Sequence, residues 1–235
     1  MNRSIVTTSW DDGHILDMRL ADLLCHYRLP ATFYIAPNNR QIPAVHRLSK
    51  GDIRSLANQR QFEIGAHTLT HPLLSEIDDD TAKTEIAGSK TMLEDWTGME
   101  IKSFCYPSGD YRPAHKKLVS DAGFSLARTV KRFSMSAGDD PFEVPTTVHA
   151  YRHWSDASPI FAAAGISRFW NQYLHWDRLA ISLFDRVRER GGVFHLWGHS
   201  WEIEAHDDWG RLENVLRYIS DGDPSVRYIT NQKLI

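Results

Sequence analysis

The sequence predicts a single α/β domain, residues 1–235, in which helices cover a sheet of mostly parallel strands. Three observations support this expectation. Short apolar runs alternate with helical segments along most of the chain. No repeat or linker divides the sequence, and 235 residues suffice to bury one sizeable core. A sheet built from such βα units can close on itself, so a barrel is one form that it could take.

The first half of the chain shows the clearest alternation. Leu16, Leu20 and Leu24 recur at helical spacing, and Pro30 breaks that helix. Gly98 lies just past the end of a later helix, at the C′ position where glycine commonly adopts a left-handed conformation. Predicted strands cover residues 5–10, 31–36, 62–66 and 101–106, and predicted helices cover about 15–27, 50–58, 79–96 and 113–122.

The second half is less regular. Trp154, Trp170, Tyr173 and Trp176 make residues 131–190 the segment that we expect to determine ligand specificity. Predicted elements are a strand at 124–130, an irregular stretch to about 159, a helix near 173–190, a strand at 193–197, a helix at 209–220 and a strand near Tyr228.

The composition is that of an ordinary globular protein, with 42% hydrophobic and 24% charged residues. A net charge of −3 and scattered Lys and Arg give no electrostatic case for nucleic acid or an anionic membrane surface. No run approaches the ~18–20 apolar residues of a membrane span, and the N-terminus turns polar too soon for a secretory signal. We therefore expect a cytoplasmic protein without membrane insertion, in which Cys25 and Cys105 are reduced, buried thiols.

Two adjacent carboxylates, Asp11 and Asp12, end the first predicted strand in the run Ser-Trp-Asp-Asp-Gly. Successive side chains of a strand point to opposite faces, but a turn at Gly13 would let both carboxylates face the same mouth of the sheet. Taken alone, a strand-end Asp-Asp-Gly is more typical of a helix cap or a hairpin turn.

His67 and His71 follow the third predicted strand in the run His-Thr-Leu-Thr-His-Pro. Two histidines four residues apart can converge on one metal ion if the chain turns between them. Pro72 disfavours an α conformation at His71 and so favours a turn. Two hydrogen-bonded histidines near a strand end are the alternative. Two imidazoles and one carboxylate would leave coordination positions open for water and substrate, which suits hydrolysis.

Two later strands also end in residues with possible catalytic roles. The turn Pro-Ser-Gly around Ser108 could expose backbone N–H groups that stabilise an oxyanion. The strand at 193–197 contains His195 and delivers His199 just past its end, where a histidine could act as a general acid.

In this order the motifs resemble those of the polysaccharide deacetylase family, the carbohydrate esterases that share the NodB homology domain. The resemblance spans roughly residues 5–200. Ser-Trp-Asp-Asp-Gly matches the family's Thr-Phe-Asp-Asp-Gly, and His-Thr-Leu-Thr-His-Pro matches its His-Ser/Thr-x-x-His-Pro. Residues 31–35, Ala-Thr-Phe-Tyr-Ile, are similar to its Ala-Thr-Phe-Phe segment. The resemblance implies a single-domain distorted (β/α) barrel that we expect to have seven strands.

The resemblance also implies roles for individual residues. Asp11 would be the general base, and the backbone N–H of Ser108 would contribute to the oxyanion hole. His199 would be the general acid, with His195 as its rival. The implied ligands of one divalent metal ion are Asp12, His67 and His71. Zn²⁺ is the expected ion, and Co²⁺, Mn²⁺, Ni²⁺ or Fe²⁺ would suit the same ligands.

Two departures from the family pattern concern the surroundings of these residues. Cys105 stands where the family has an Arg in its third motif, and a thiol cannot form an ion pair with the general base. Arg128, which leaves the next strand, could supply that charge or could be a surface residue. No Asp-x-x-Asp-Trp motif follows, and Asp139 and Asp140 lie in a Gly-Asp-Asp-Pro run that is equally typical of a turn.

By resemblance, the expected function is metal-dependent removal of acetyl groups from N-acetylated sugars of a glycan or a glycan precursor. Hydrolysis of O-acetyl esters or of a non-sugar C–N bond on the same fold is an alternative. A catalytically silent carbohydrate-binding protein is an alternative of another class. The missing third-motif Arg is compatible with this alternative, because a silent protein does not need a charged partner for the base. The expected partner is an acetylated carbohydrate.

Overall fold

Parallel strands form one curled sheet in the computed structural model, which describes residues 4–164 and 166–235. Along the sheet the order is β5-β4-β3-β2-β1-β7-β6, and β8 pairs with the start of β1. The expected seven-stranded distorted barrel is confirmed, with β8 as a short addition beside it. The strands are β1 Ser4–Asp12, β2 Ala31–Ile35, β3 Phe62–Ala66, β4 Ser103–Cys105, β5 Leu126–Arg128, β6 Val148–His149, β7 Gly192–Gly198 and β8 Val226–Tyr228.

The segment that precedes β6 closes the gap between the two ends of the sheet. The backbone N–H of Thr129, just after β5, donates to the carbonyl of Val144 at 2.9 Å. Three residues after Val144, the N–H of Thr147 donates to the carbonyl of His195 in β7 at 3.0 Å. The sheet therefore curls far enough to surround an interior, although β6 itself is only two residues long.

The helices cover the outer face of this sheet. Ser49 and Asp52 form a capping box at the start of α2, and Gly98 ends α3 in the left-handed conformation predicted for it. The helices are α1 Asp17–His26, α2 Lys50–Ala57, α3 Asp79–Thr97, α4 Pro113–Asp121, α5 Ala157–Ala164, α6 Ile166–Leu174, α7 Trp176–Arg190, α8 Ser200–Ala205 and α9 Trp209–Ile219.

The two faces of the strands differ in polarity. Alternate strand residues such as Trp10, Phe33 and Phe194 are fully buried in the apolar core. Many of the residues between them are polar, and several of these bond to one another across the interior. For example, the Ser9 hydroxyl lies 2.8 Å from Nε2 of His195, and Thr32 donates to Glu63 at 2.8 Å. The curled sheet thus has a polar interior that leads to the carboxyl ends of its strands.

The segment 131–190 differs most from its prediction. The stretch predicted to be irregular up to 159 contains β6 and the start of α5, and the helix predicted near 173–190 is two helices. His175 takes an extended conformation between α6 and α7. The six-residue helix α8 was not predicted either, because it is too short to show a periodic pattern.

The cysteines and the helix lengths bear on two further expectations. Cys25 and Cys105 form no disulfide, as predicted, but only Cys105 is buried because Cys25 lies on the partly exposed side of α1. Over the described ranges, no helix combines the length and the apolar character needed to cross a membrane.

Candidate metal centre and active site

A cavity of about 430 Å³ opens at the carboxyl ends of β1, β3 and β7. This is the end of a βα sheet at which functional groups collect. The cavity brings together side chains from loops far apart in the sequence, and those that line it are Asp11, Asp12, Gln41, His67, His71, Ser108, Val130, Arg132, His149, His153, Trp197, His199, Trp201 and Glu202.

The end of β1 directs both predicted carboxylates into this cavity. Asp12 has φ +83° and Gly13 has φ +73°, so the chain leaves the strand in the left-handed region. A Cβ at Gly13 would come within 2.8 Å of Ile35 Cγ2, so the turn needs glycine for space as well as for φ. The turn predicted at Gly13 is therefore present, and it lets Asp11 and Asp12 share one opening.

His67 and His71 converge through a tight turn after β3. Thr68 and His71 both have φ +63°, and the Thr68 hydroxyl accepts the N–H of His71 at 3.1 Å. The two Nε2 atoms lie 3.2 Å apart. Oδ1 of Asp12 lies 3.7 Å from Nε2 of His67 and 3.3 Å from Nε2 of His71. We call Asp12, His67 and His71 the Asp-His-His group.

The Asp-His-His group fits a divalent metal ion. The backbone carbonyl of Cys105 lies 2.7 Å from Nδ1 of His67, which assigns the ring proton to Nδ1 and leaves Nε2 free to coordinate. Burial and the neighbouring His71 lower the pKa of His67 to about 4, so its imidazole is neutral. Among the described residues, none donates a hydrogen bond to the buried Oδ1 of Asp12. Three converging lone-pair donors of this kind are typical metal ligands.

Arg128 is fully buried in the interior, so the surface position considered for it is wrong. Its Nη2 donates to both carboxylate oxygens of Asp11, and its guanidinium lies 4.6 Å from the centre of the Trp197 ring. Burial raises the pKa of Asp11, but the charges of Arg128 and of nearby histidines outweigh burial and hold that pKa below its usual value. The charge that Cys105 cannot provide thus reaches Asp11 from the neighbouring strand.

His199 lines the cavity directly after β7, and Glu202 contacts its Nδ1. Nε2 of His199 faces Oδ2 of Asp12 at 3.9 Å. Burial alone would lower the pKa of His199, but Glu202 and Asp12 outweigh burial and raise it to about 9. The same Glu202 oxygen lies 3.1 Å from Nε2 of His149, whose pKa burial lowers to about 4. The proton of this cluster therefore resides on His199.

The other residues singled out by the sequence occupy different places. His195 is 1% exposed and bonds Ser9 inside the sheet, away from the cavity lining. Ser108 lines the cavity from a turn with φ +54°. Asp140 accepts the backbone N–H of Phe142 at 2.8 Å and pairs with Lys116, as expected of a turn residue.

Sequence reasoning missed several cavity residues, and three of them adjoin the predicted site residues directly. Glu202 stands three positions after His199, on a helix that was not predicted, and His149 lies in the stretch predicted to be irregular. Trp201 donates its indole N–H to Oδ2 of Asp12 at 2.8 Å and so holds the carboxylate in place. The spacing His-x-x-Glu was the available signal for Glu202, since i and i+3 share one side of a helix.

Several known proteins are similar to this chain in sequence or in structure. A curated relative, the peptidoglycan-N-acetylglucosamine deacetylase of Bacillus cereus, is 24% identical over 130 residues, which cover 54% of this chain and 44% of that protein. This chain thus spans less than half of that relative's length. A putative polysaccharide deacetylase from Mycobacterium smegmatis has the same fold, with a TM-score of 0.70 and 17% identity over 100% of this chain and 90% of its own.

A further solved structure is that of a CE4 family pseudoenzyme from Bacillus anthracis, with a TM-score of 0.60 and 15% identity. The alignment covers 99% of this chain and 66% of that chain, and at this identity it shows the fold alone. The decisive match is by sequence, because the family model for polysaccharide deacetylases matches residues 1–127, more than half of the chain. Since that match includes the loops that carry both the Asp pair and the His pair, the chain belongs to the polysaccharide deacetylase family.

Proposed function

We propose that the chain is a metal-dependent hydrolase that removes acetyl groups from N-acetylated sugars of a glycan or a glycan precursor. The observation that carries this proposal is the position of the Arg128-bound Asp11 carboxylate beside the Asp-His-His group, in one cavity. A base and a metal-ligating group with open positions are the parts that amide hydrolysis needs. Family membership supports an acetylated sugar as the substrate.

In this proposal Asp12, His67 and His71 hold the ion, and two imidazoles with one carboxylate suit Zn²⁺ among several possible ions. A bound divalent ion would supply a Lewis acid for the acetyl carbonyl and would lower the pKa of a water molecule. Trp201 keeps Oδ2 of Asp12 occupied by an N–H donor, which leaves Oδ1 directed at the two imidazoles.

Asp11 acts as the general base. It is ionised because the guanidinium of Arg128 lowers its pKa, and the same contact to both oxygens fixes the plane of the carboxylate. The two adjacent carboxylates thus have separate roles: Asp11 is held by a cation of the protein, and Asp12 faces the histidines. Asp11 therefore accepts a proton from the attacking water.

Two groups act on the other atoms of the scissile bond. The backbone N–H of Ser108, in the turn after β4, donates to the oxyanion as the carbonyl carbon becomes tetrahedral. His199, protonated through its contact with Glu202, gives its proton to the departing amine nitrogen. The products are acetate and a free amino sugar.

Glu202→Gln is expected to shift the basic limb of the kcat/KM–pH profile to lower pH by about one to two units. A charge-assisted hydrogen bond contributes about 1.5–3 kcal/mol, which corresponds to that change in the pKa of His199. His199 must be protonated to act as an acid, so activity falls as the pH rises through its pKa. Glu204→Gln is the matched control, because Glu204 lies on the same helix but pairs with Arg19. A basic limb that stays in place in Glu202→Gln would contradict the role of Glu202.

Acetate release from a panel of N-acetyl sugars, nucleotide sugars and O-acetyl glycans, with Zn²⁺, Co²⁺ or Mn²⁺ added, tests the proposed reaction. We expect turnover of N-acetylated substrates and a fall of about 10²–10⁴-fold in kcat for Asp11→Asn. Release from O-acetyl esters alone would assign the chain as an esterase instead. Turnover that Asp11→Asn leaves unchanged would exclude the proposed base.

A catalytically silent carbohydrate-binding protein is the second candidate, because the B. anthracis protein of the same fold is described as a pseudoenzyme. The chain retains a complete Asp-His-His group together with Asp11 and His199, which favours catalysis. Glycan binding without acetate release, in protein shown to contain its metal, would favour the silent alternative.

A further inference from the structure

Helices α5 and α6 and the turn before them expose an unusual number of large apolar side chains. Trp154 is 71% exposed, Phe161 51%, Trp170 65% and Leu174 42%. We call these four residues the aromatic patch. Single exposed apolar residues need no explanation, but contiguous groups of them mark surfaces that contact a partner or a membrane.

Ring contacts connect the three aromatic members of the aromatic patch. Phe169 packs against Phe161 and Trp170, with ring centres 5.7 Å and 5.1 Å away. Tyr173 stacks on Phe169 and contacts the edges of Trp154 and Trp170. The buried Tyr173 and the half-buried Phe169 therefore support three exposed rings from below, so the exposed rings form one surface.

A groove of about 420 Å³ lies between α6 and α7, beside this patch, and more basic than acidic side chains line it. Its charged side chains are four arginines, Arg168, Arg178, Arg186 and Arg190, and two acids, Asp185 and Glu189. We call it the basic groove. Asp185 is paired with Arg188 at 3.0 Å, which weakens its effect on the groove. Across the patch, the guanidinium of Arg152 lies 4.2 Å from the centre of the Trp154 ring.

We propose that the aromatic patch and the basic groove dock the chain on the surface of an anionic membrane. Trp and Phe rings are suited to the boundary between lipid headgroups and acyl chains, and neighbouring arginines bind anionic headgroups. The exposed Phe161 and Leu174 have no polar atom with which to bind a sugar hydroxyl, which favours lipid over a soluble glycan. The chain as a whole carries a charge of −3, so the excess of arginine over acid in the groove is local.

The docking surface adjoins the cavity. His153, which lines the cavity, directly precedes Trp154, and Arg132, also in the cavity wall, pairs with Asp156 in the same turn. A membrane bound at the aromatic patch would thus lie beside the cavity mouth, where a substrate carried on the membrane could enter. Membrane docking does not depend on the proposed deacetylation, and the two can fail separately.

Co-sedimentation with vesicles tests the docking surface. The full chain should bind vesicles of equal parts phosphatidylcholine and phosphatidylglycerol, bind pure phosphatidylcholine vesicles less, and dissociate as salt is raised. The double variant Phe161→Ser/Trp170→Ser should lower the partition coefficient at least about tenfold, because two large apolar side chains no longer enter the lipid. Arg168→Glu should weaken binding to the anionic vesicles only.

Matched controls come from the opposite end of the strands and from α3. Met99, 46% exposed before β4, is changed to Ser, and the exposed Lys83 is changed to Glu. Neither change should alter partitioning. Unchanged thermal unfolding identifies variants that keep their fold, and Arg168→Glu tests the proposal independently of the apolar change.

Three results would overturn the proposal. The first is no partition of the folded wild-type chain into anionic vesicles. The second is equal loss of partition in the patch variants and in the Met99 and Lys83 controls. The third is a dimer of the wild-type chain that Phe161→Ser/Trp170→Ser dissociates, because a second copy would then occupy the patch.

Discussion

His67→Ala protein is expected to lose its bound divalent metal and its acetate-releasing activity together, whereas His149→Ala protein keeps its metal. Nε2 of His67 faces both Asp12 and His71, and its Nδ1 is fixed by the Cys105 carbonyl. Removing this imidazole deletes one of three protein ligands. Loss of an outer-shell partner costs about 10–100-fold in metal affinity, so loss of a ligand should cost more.

His149 is the informative control because it belongs to another cluster that could bind a metal. Nitrogen and oxygen atoms of His149, His199 and Glu202 also lie within 4.8 Å of one another. In our assignment Glu202 already contacts both imidazoles, and the cluster keeps His199 protonated so that it can act as an acid. Metal content per chain, measured by elemental analysis after dialysis, should be about one in the wild type and in His149→Ala. Metal retained in His67→Ala but lost in His149→Ala would reverse the assignment.

Arg128→Met is expected to lower the free energy of unfolding by about 3–5 kcal/mol, the usual cost of leaving one member of a buried ion pair alone. Arg128 is 0% exposed and Asp11 is 2% exposed, so water cannot replace the lost guanidinium. Chemical denaturation of the metal-free protein measures the change without interference from metal binding. Arg188→Met is the control, because its pairs with Asp185 and Asp221 are partly exposed and should contribute at most about 1 kcal/mol.

The pH dependence follows from the direction of the pKa shift of Asp11. Arg128 lowers that pKa in the folded protein, so the resulting stability is present above the unfolded value and is lost as the pH falls through the folded value. In Arg128→Met only the nearby histidines would oppose burial, so the pKa of Asp11 should rise. The difference in stability between wild type and variant should therefore be largest near neutral pH and shrink on acidification. A difference that does not change with pH would show that Asp11 and Arg128 are not energetically coupled.

Removing both charges distinguishes the contribution of the ion pair to stability from that of side-chain packing. The double variant Asp11→Ala/Arg128→Met should unfold at a higher denaturant concentration than Arg128→Met, because no buried charge is left unpaired. Its activity should nevertheless be as low as that of Asp11→Asn. Stability and catalysis at this pair would thus be measured independently.

The local chemistry of the Asp and His motifs was readable in the sequence. Asp12 and Gly13 lie where a strand must end, and Pro72 restricts His71 to a turn, so the approximate position of each group followed from short-range rules. The parallel sheet was also predictable by short-range rules, because the alternation of apolar runs and helical segments depends on residues close together in the chain. The helices that these rules missed lie between 154 and 205, where elements are short or interrupted.

Contacts between distant segments were beyond the sequence. Arg128 reaches Asp11 across 117 positions, and only the closed sheet decides that it lies in the interior instead of on the surface. Trp201 meets Asp12 across 189 positions, and the basic groove gathers arginines from two helices that scattered charges along the chain did not reveal. Backbone conformation is set largely by neighbouring residues, so the sequence alone determined the motifs and their strands. The partners that set their charge and orientation depend on tertiary packing, and so only the folded structure decided them.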